Sequence, residues 1–307
     1  MSLVPTFATA PSFLGAPWRA SDPASTGFTV AGIPLDIGTT NRAGARSGPA
    51  AIRQASRMLV DGAHPTRWTD PQDWPLTDAG DFAIALGDIE SSLRQIEAQA
   101  SAIPHLVALG GEHGITLALL RALSKRLGAK LALVHFDAHV DTWPDNFGQT
   151  YGHGSVFFHA IREGIVDARR MVQIGIRSPV QRDVWDWTLN QGVTVLSGQE
   201  VQEMGPESVA QKIRAVVGDA PAYLSFDIDA LDPAHAPGTG TPEIGGLASW
   251  QAQAILRRLD GIAFRGMDIV EVAPAFDTAE VTALAAATIA WEYLAMMVAQ
   301  GEVRPAG

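Results

Sequence analysis

The chain has 307 residues, 47% of them hydrophobic and 18% charged, enough apolar material to bury a substantial core in one large domain or two small ones. Its net charge of −11 argues against a phosphate-binding surface, which needs clustered Lys and Arg, so no nucleic-acid partner is expected. The absence of cysteine excludes disulfides, thiolate metal sites and a cysteine nucleophile, so any metal must be held by His, Asp or Glu.

Residues 1–27 are rich in Pro, Ser and Ala and are expected to form an arm that drapes over the body or a neighbouring subunit. Within the first 20 residues only Arg19 is cationic and there is no compact apolar run, so no secretory signal is expected there. No stretch approaches about 18 consecutive apolar residues, so no membrane span and a cytoplasmic location are expected. Residues 28–307 read as a single domain. Short apolar runs predict strands at Phe28–Ile33, Leu106–Leu109, Leu131–Phe136, Met171–Ile176, Val193–Leu196, Ala222–Ile228 and Arg265–Val270. Helical patterns fall between or after them at Pro49–Val60, Ile115–Leu127, Val180–Gln191, Pro206–Val217, Ser249–Leu259 and Glu280–Ala299. The alternation implies an α/β fold, a parallel sheet with helices on its faces. Periodicity does not distinguish an open sheet from a closed eight-stranded barrel, but in both the active site gathers at the C-terminal strand ends.

Three such ends carry ligand-type side chains. Asp137-Ala-His-Val-Asp141 follows the strand Leu131–Phe136. On an extended strand Asp137 and His139 point to one side about 7 Å apart, whereas Asp141 lies about 13 Å away and joins them only if the chain curls. Asp227 and Asp229 end the strand Ala222–Ile228, and two carboxylates crowded there would repel unless a cation lay between them. Asp232, before Pro233, reads as a turn residue. Gly110-Gly-Glu-His113 ends the strand Leu106–Leu109, where the glycines permit a tight turn that projects His113. Four carboxylates carry about −4, which offsets two divalent cations, and a sulfur-free set suits manganese. Two such ions can share a water and lower its pKa toward neutrality, which points to metal-assisted hydrolysis.

These motifs, with Gly32-Ile-Pro-Leu-Asp36, Arg42-Ala-Gly-Ala-Arg46-Ser-Gly-Pro49 and Glu271-Val-Ala-Pro274, make the chain resemble the ureohydrolases, the arginase and agmatinase superfamily, over nearly the whole body. The C-terminal half, notably Gly238-Thr-Gly-Thr-Pro-Glu-Ile-Gly-Gly246, is most similar to agmatinases. The resemblance implies a three-layer α/β/α fold with a mostly parallel central sheet, two Mn²⁺ per subunit, and a trimeric or hexameric homo-oligomer. It implies that His113, Asp137, Asp141 and Asp227 take one ion and His139, Asp137, Asp227 and Asp229 the other, with hydroxide between them. His153 matches the family's mobile proton-carrying histidine, and Glu271 the carboxylate that pairs with the substrate guanidinium. The leaving amine would be protonated through Asp141 or His153. Glu112 departs from the family's usual aspartate beside the metal histidine.

The segment after Asp141 bears on the substrate. Thr142-Trp-Pro-Asp-Asn-Phe-Gly-Gln-Thr-Tyr-Gly152 lacks the Asn, Thr and Ser run with which arginases receive an amino-acid head group, so arginine is disfavoured. It also has no Lys or Arg to welcome an acid tail, unless Arg42, Arg46 or Arg177 reaches the site from other loops. Asp145, Trp143 and Tyr151 suit an amine tail through charge or cation–π contact. The expected reaction is therefore agmatine to putrescine and urea, a small cationic guanidino substrate, with guanidinobutyrate as the alternative.

Overall fold

Eight strands form one all-parallel sheet in the computed structural model, which describes residues 12–19 and 27–301. In chain order the elements are β1 Phe28–Ile33, α1 Gly48–Ser56, β2 Leu76–Asp81, α2 Ile89–Ala100, β3 Leu106–Gly110, α3 Ile115–Leu127, β4 Leu131–Phe136 and α4 Val156–Arg162. There follow β5 Val166–Ile176, α5 Arg182–Asn190, β6 Thr194–Ser197, α6 Gly198–Val217, β7 Ala222–Asp227, α7 Ser249–Leu256, β8 Phe264–Val270 and α8 Val281–Gln300. The order across the sheet is β2-β1-β3-β8-β7-β4-β5-β6, with β2 and β6 at opposite edges and not paired to each other, so the fold is the open three-layer form and not the barrel.

Alternate residues of each strand feed two apolar cores, as pleating requires. Val107, Leu109, Val134 and Phe136 pack with α1, α6, α7 and α8, while Leu106, Ala108, Leu131 and Leu133 pack with α2, α3 and α4. Burial on both faces explains why these strands read as continuous hydrophobic runs. β2, α2 and α4 were not predicted. β2, Leu-Thr-Asp-Ala-Gly-Asp, is an edge strand with a polar sequence. α2 is capped by Asp88, whose side chain accepts the Ser91 N–H, and α4 has only seven residues.

The helix predicted from Pro206 begins earlier, at Gly198, behind a Ser197–Glu200 capping box; Gly205 at φ +72° breaks it and Pro206 restarts it. Helix α8 is long and apolar enough to cross a membrane, yet 72% of its apolar window is buried within the subunit. Its one acidic residue, Glu292, is paired with Arg257 and His64. Of the expected N-terminal arm, residues 12–19 lie on this chain's own body. Phe13 N–H donates to Asp78 at 2.8 Å and Leu14 N–H to Ser56 at 2.9 Å. Its remaining residues fall outside those described, apart from Gly27.

The strand order brings β3, β8, β7 and β4 side by side at the centre, with Leu109 opposite Ile269, Asp227 opposite Val270 and Phe226 opposite Phe136. Their C-terminal ends are therefore level, and these four ends carry His113, Glu271, Asp227 and Asp137.

Candidate metal centre

β4 stops at Phe136, and the segment after it curls instead of continuing extended. His139 N–H donates to Asp137 Oδ1 at 2.6 Å and Ala138 N–H to Asp229 Oδ1 at 3.0 Å, which turns the chain over the ends of β4 and β7. Asp141 then sits at φ +48°, in the left-handed region. The convergence of Asp137, His139 and Asp141 comes from this curl, not from the shared strand face that simple alternation suggests. Asp229 likewise lies in a single 3₁₀ turn, Ile228–Ala230, capped by Asp227, whose Oδ1 accepts the Asp229 N–H at 2.8 Å. The turn after β3 needs its glycines: a Cβ on Gly111 would lie 2.2 Å from the Leu35 carbonyl oxygen.

Two nests of donor atoms result. His113 Nδ1 faces Asp141 Oδ2 at 2.9 Å, Asp137 Oδ2 at 3.2 Å and Asp227 Oδ2 at 3.4 Å. His139 Nδ1 faces Asp229 Oδ2 at 3.1 Å and Asp137 Oδ1 at 3.3 Å. Asp137 belongs to both. Burial pushes the Asp227 carboxyl well above the usual carboxylate range, and repulsion from Asp229 and Asp137 pushes it further. Asp229 is raised for the same reasons, burial first and Asp137 second. Among the described residues no Lys or Arg ion-pairs with any of these four carboxylates; only His113 and His139 face them, and both are raised despite burial by their carboxylate neighbours, which is less positive charge than two divalent cations would supply.

His113, His135 and Asp137 also lie close enough to hold an ion. His135 is not free to do so. Its Nε2 lies 2.7 Å from Asp137 Oδ2 and its Nδ1 accepts from the Gln173 amide at 3.2 Å, so both ring nitrogens are committed. His135 is a buried supporting residue that sequence reading missed inside an apolar strand.

Glu271, at φ +63°, is buried where β8 ends. Its Oε1 accepts the His113 N–H at 2.7 Å and lies 3.0 Å from His153 Nδ1. The other nitrogen of His153 meets Thr40, with Oγ1 at 2.8 Å and N–H at 3.2 Å. Burial works against protonating His153, but the Glu271 carboxylate outweighs it and lifts the imidazole to about 9. Glu112 lies beneath the same loop, accepting the Gly38 N–H at 2.6 Å, and burial followed by repulsion from Glu271 raises it to about 8.

A cavity of about 320 Å³ opens above the nests. His139, Asp141 and Asp227 reach its floor, and Trp143, Asp145 and Phe147 its wall. Trp143 is oriented by its Nε1–H donating to Gln181 at 2.6 Å. Tyr151 is a correction: it does not line the cavity but packs on His159, ring centroids 4.8 Å apart, beneath the Arg121 guanidinium. None of the three arginines that might have reached the site lines the cavity either. Arg46 pairs with Asp36, Arg42 lies over the Phe276 ring, and Arg177 donates to the backbone carbonyls of Asp229 and Glu243. Asp232 is a loop anchor, accepting from the N–H groups of Ala234, Gly245 and Gly246. Thr241, also missed, donates to Asp229 Oδ2 at 3.2 Å.

Comparison with known proteins bears on the family and the fold. The model of the arginase family matches residues 26–296. The agmatinase of Edwardsiella ictaluri (strain 93-146) is 45% identical over 279 residues, 89% of this chain and 88% of that protein. The crystal structure of a hypothetical agmatinase from Burkholderia thailandensis superposes with a TM-score of 0.90 at 40% identity, over 97% of this chain and 94% of that one. The proclavaminate amidino hydrolase of Streptomyces clavuligerus gives 0.91 at 37% identity, over 97% and 100%.

Proposed function

This chain belongs to the arginase family, whose members are binuclear metal enzymes acting on guanidino C–N bonds, and on that premise we propose that it hydrolyses agmatine to putrescine and urea with two manganese ions. The observation that carries the reading is the pair of imidazole–carboxylate nests sharing Asp137, set below a cavity with acidic and no Lys or Arg lining.

In this reading His113, Asp137, Asp141 and Asp227 hold one ion, and His139, Asp137, Asp227 and Asp229 the other. All the donors are nitrogen or carboxylate oxygen, which suits manganese. When bound, the pair supplies a water ionised near neutral pH and positive charge for the developing tetrahedral centre. The protein's own groups do the rest. Glu271, which does not itself line the cavity but contacts His153, which does, takes two guanidinium N–H groups in parallel, which fixes the central carbon over the nests. His153 now holds one of those carboxylate oxygens, so it must swing aside as the guanidinium arrives. The incoming positive charge then removes what raised its pKa, and the imidazolium becomes a stronger acid, suited to protonating the departing amine. Asp141 is the second route for that proton. At the outer wall Asp145 receives the distal ammonium and Trp143 offers its ring face. The subunits would assemble as trimers or hexamers, which light scattering of the purified protein would test.

The test is urea release by manganese-loaded enzyme from agmatine, guanidinobutyrate, guanidinopropionate and arginine. Agmatine is expected to have the highest kcat/KM and arginine the lowest. Guanidinobutyrate is the second reading, kept because the Streptomyces relative is named for a carboxylate; its preference over agmatine would overturn the tail assignment and spare the family. Asp145 is exposed, so Asp145→Asn should lower kcat/KM for agmatine only about two- to fivefold. The same change should leave guanidinobutyrate unaffected or improved.

A further inference from the structure

One level below the metal nests, a row of polar side chains crosses the centre of the sheet among mostly apolar neighbours. Asp268 on β8 lies opposite Ser225 on β7, Ser225 opposite His135 on β4, and His135 opposite Gln173 on β5. All four are fully buried. Four polar groups on adjacent strands are costly to bury unless each is satisfied, so their hydrogen bonds are the place to look for a reason.

The bonds run in two directed chains that end on different members of the nests. Asp268 Oδ1 accepts from Ser225 Oγ at 2.7 Å, and its Oδ2 from Thr116 Oγ1 at 2.7 Å. Ser225 has given its only proton to the carboxylate, so it can only accept from His113 Nε2, 2.9 Å away. That commits Nε2 as a donor and leaves Nδ1, the nitrogen facing Asp137, Asp141 and Asp227, as the one that can offer a lone pair to an ion. In the second chain the Gln173 amide donates to His135 Nδ1 at 3.2 Å and to the Val140 carbonyl at 2.6 Å. His135 must then carry its proton on Nε2, aimed at Asp137 Oδ2. The Phe157 ring closes the layer, with centroids 4.3 Å from His135 and 5.2 Å from His113.

We propose that this buried row is a positioning layer for the metal centre, in which Asp268, acting through Ser225, fixes the tautomer and direction of His113, and Gln173, acting through His135, fixes Asp137. The proposal rests on the binuclear reading above but not on the identity of the substrate. Supporting groups of this kind typically change metal affinity by about 10- to 100-fold when removed. Because the Asp268 chain reaches, through Ser225, only His113 among the proposed ligands, its loss should fall on the one ion that His113 holds.

The experiment is manganese titration calorimetry on wild type, Ser225→Ala and Asp268→Asn, with metal-free melting temperatures measured alongside. Wild type should take two ions. In Ser225→Ala one of them should bind about 10- to 100-fold more weakly and the other within about threefold of wild type, while the metal-free melting temperature falls because buried Asp268 and His113 each lose a partner. Asp268→Asn can both give and accept a hydrogen bond at the end of the row, so it should show the same one-sided loss to a smaller degree. Two unchanged affinities in Ser225→Ala would overturn the proposal. So would equal loss of both ions, which is the signature of general damage and not of one misdirected ligand. A wild type that takes fewer than two ions would sink the binuclear reading itself, and this proposal with it.

Discussion

Glu271→Gln is expected to lower kcat/KM for agmatine by about 30- to 3,000-fold while leaving manganese content unchanged. The side chain is buried and its Oε1 already accepts the His113 N–H at 2.7 Å. Glutamine has the same shape but only one acceptor oxygen, and its NH₂ would oppose the guanidinium N–H groups. Removing one member of a buried, hydrogen-bonded charge pair costs about 2–5 kcal/mol, and about 1.4 kcal/mol is tenfold. The change should also release His153 from the carboxylate that lifts it to about 9, so its titration should move down toward the ordinary 6.5. Urea-release kinetics, metal analysis and NMR of labelled histidine read the three consequences separately. An unimpaired kcat/KM would remove Glu271 from substrate recognition.

Asp227→Asn should abolish measurable hydrolysis and weaken both ions, because Asp227 is assigned to both, yet it should make the metal-free protein more stable at neutral pH. The sign follows from the raised pKa. Burial first, then Asp229 and Asp137, push this carboxyl well above its ordinary 3.8. A group whose folded pKa exceeds its unfolded one stabilises the protein fully below the unfolded value and loses that contribution as pH rises through the folded one. Above its ordinary range this carboxyl therefore costs the metal-free protein stability, through burial first and repulsion second, and the neutral amide relieves that cost. Melting curves with excess manganese and with chelator should cross over. The variant should melt higher without metal and lower with it, since ligand binding to the native state stabilises in proportion to affinity. A variant less stable in both conditions would show that no such cost exists.

Much of this protein is legible in its sequence for a physical reason. A parallel sheet buried on both faces writes its strands as apolar runs, and the C-terminal end of such a run is where a charged side chain is conspicuous. That is why Asp137, Asp227, His113 and Glu271 stand out. What alternation could not show was the backbone between them. Asp141 and Asp229 join the site only through a left-handed residue and a 3₁₀ turn. β2 was hidden by its edge position and polar sequence, and α4 by its seven-residue length. Tyr151 looked like a substrate contact because sequence proximity says nothing about which way a loop residue turns. The polar row was concealed in plain view. His135, Gln173, Ser225 and Asp268 are single polar letters in apolar strands, which looked tolerable one at a time. Only the strand register aligns them.

The backbone angles at Asp141 and Glu271 carry a consequence for anyone wishing to redesign this enzyme. Holding a residue other than glycine in the left-handed region costs about 1–3 kcal/mol, and aspartate bears it more readily than glutamate. A saturation library at either position would therefore mix two signals, lost chemistry and a main chain unable to adopt the required twist, with β-branched choices penalised most. Glycine at each site, which keeps the twist and deletes the acid, is the control that separates them.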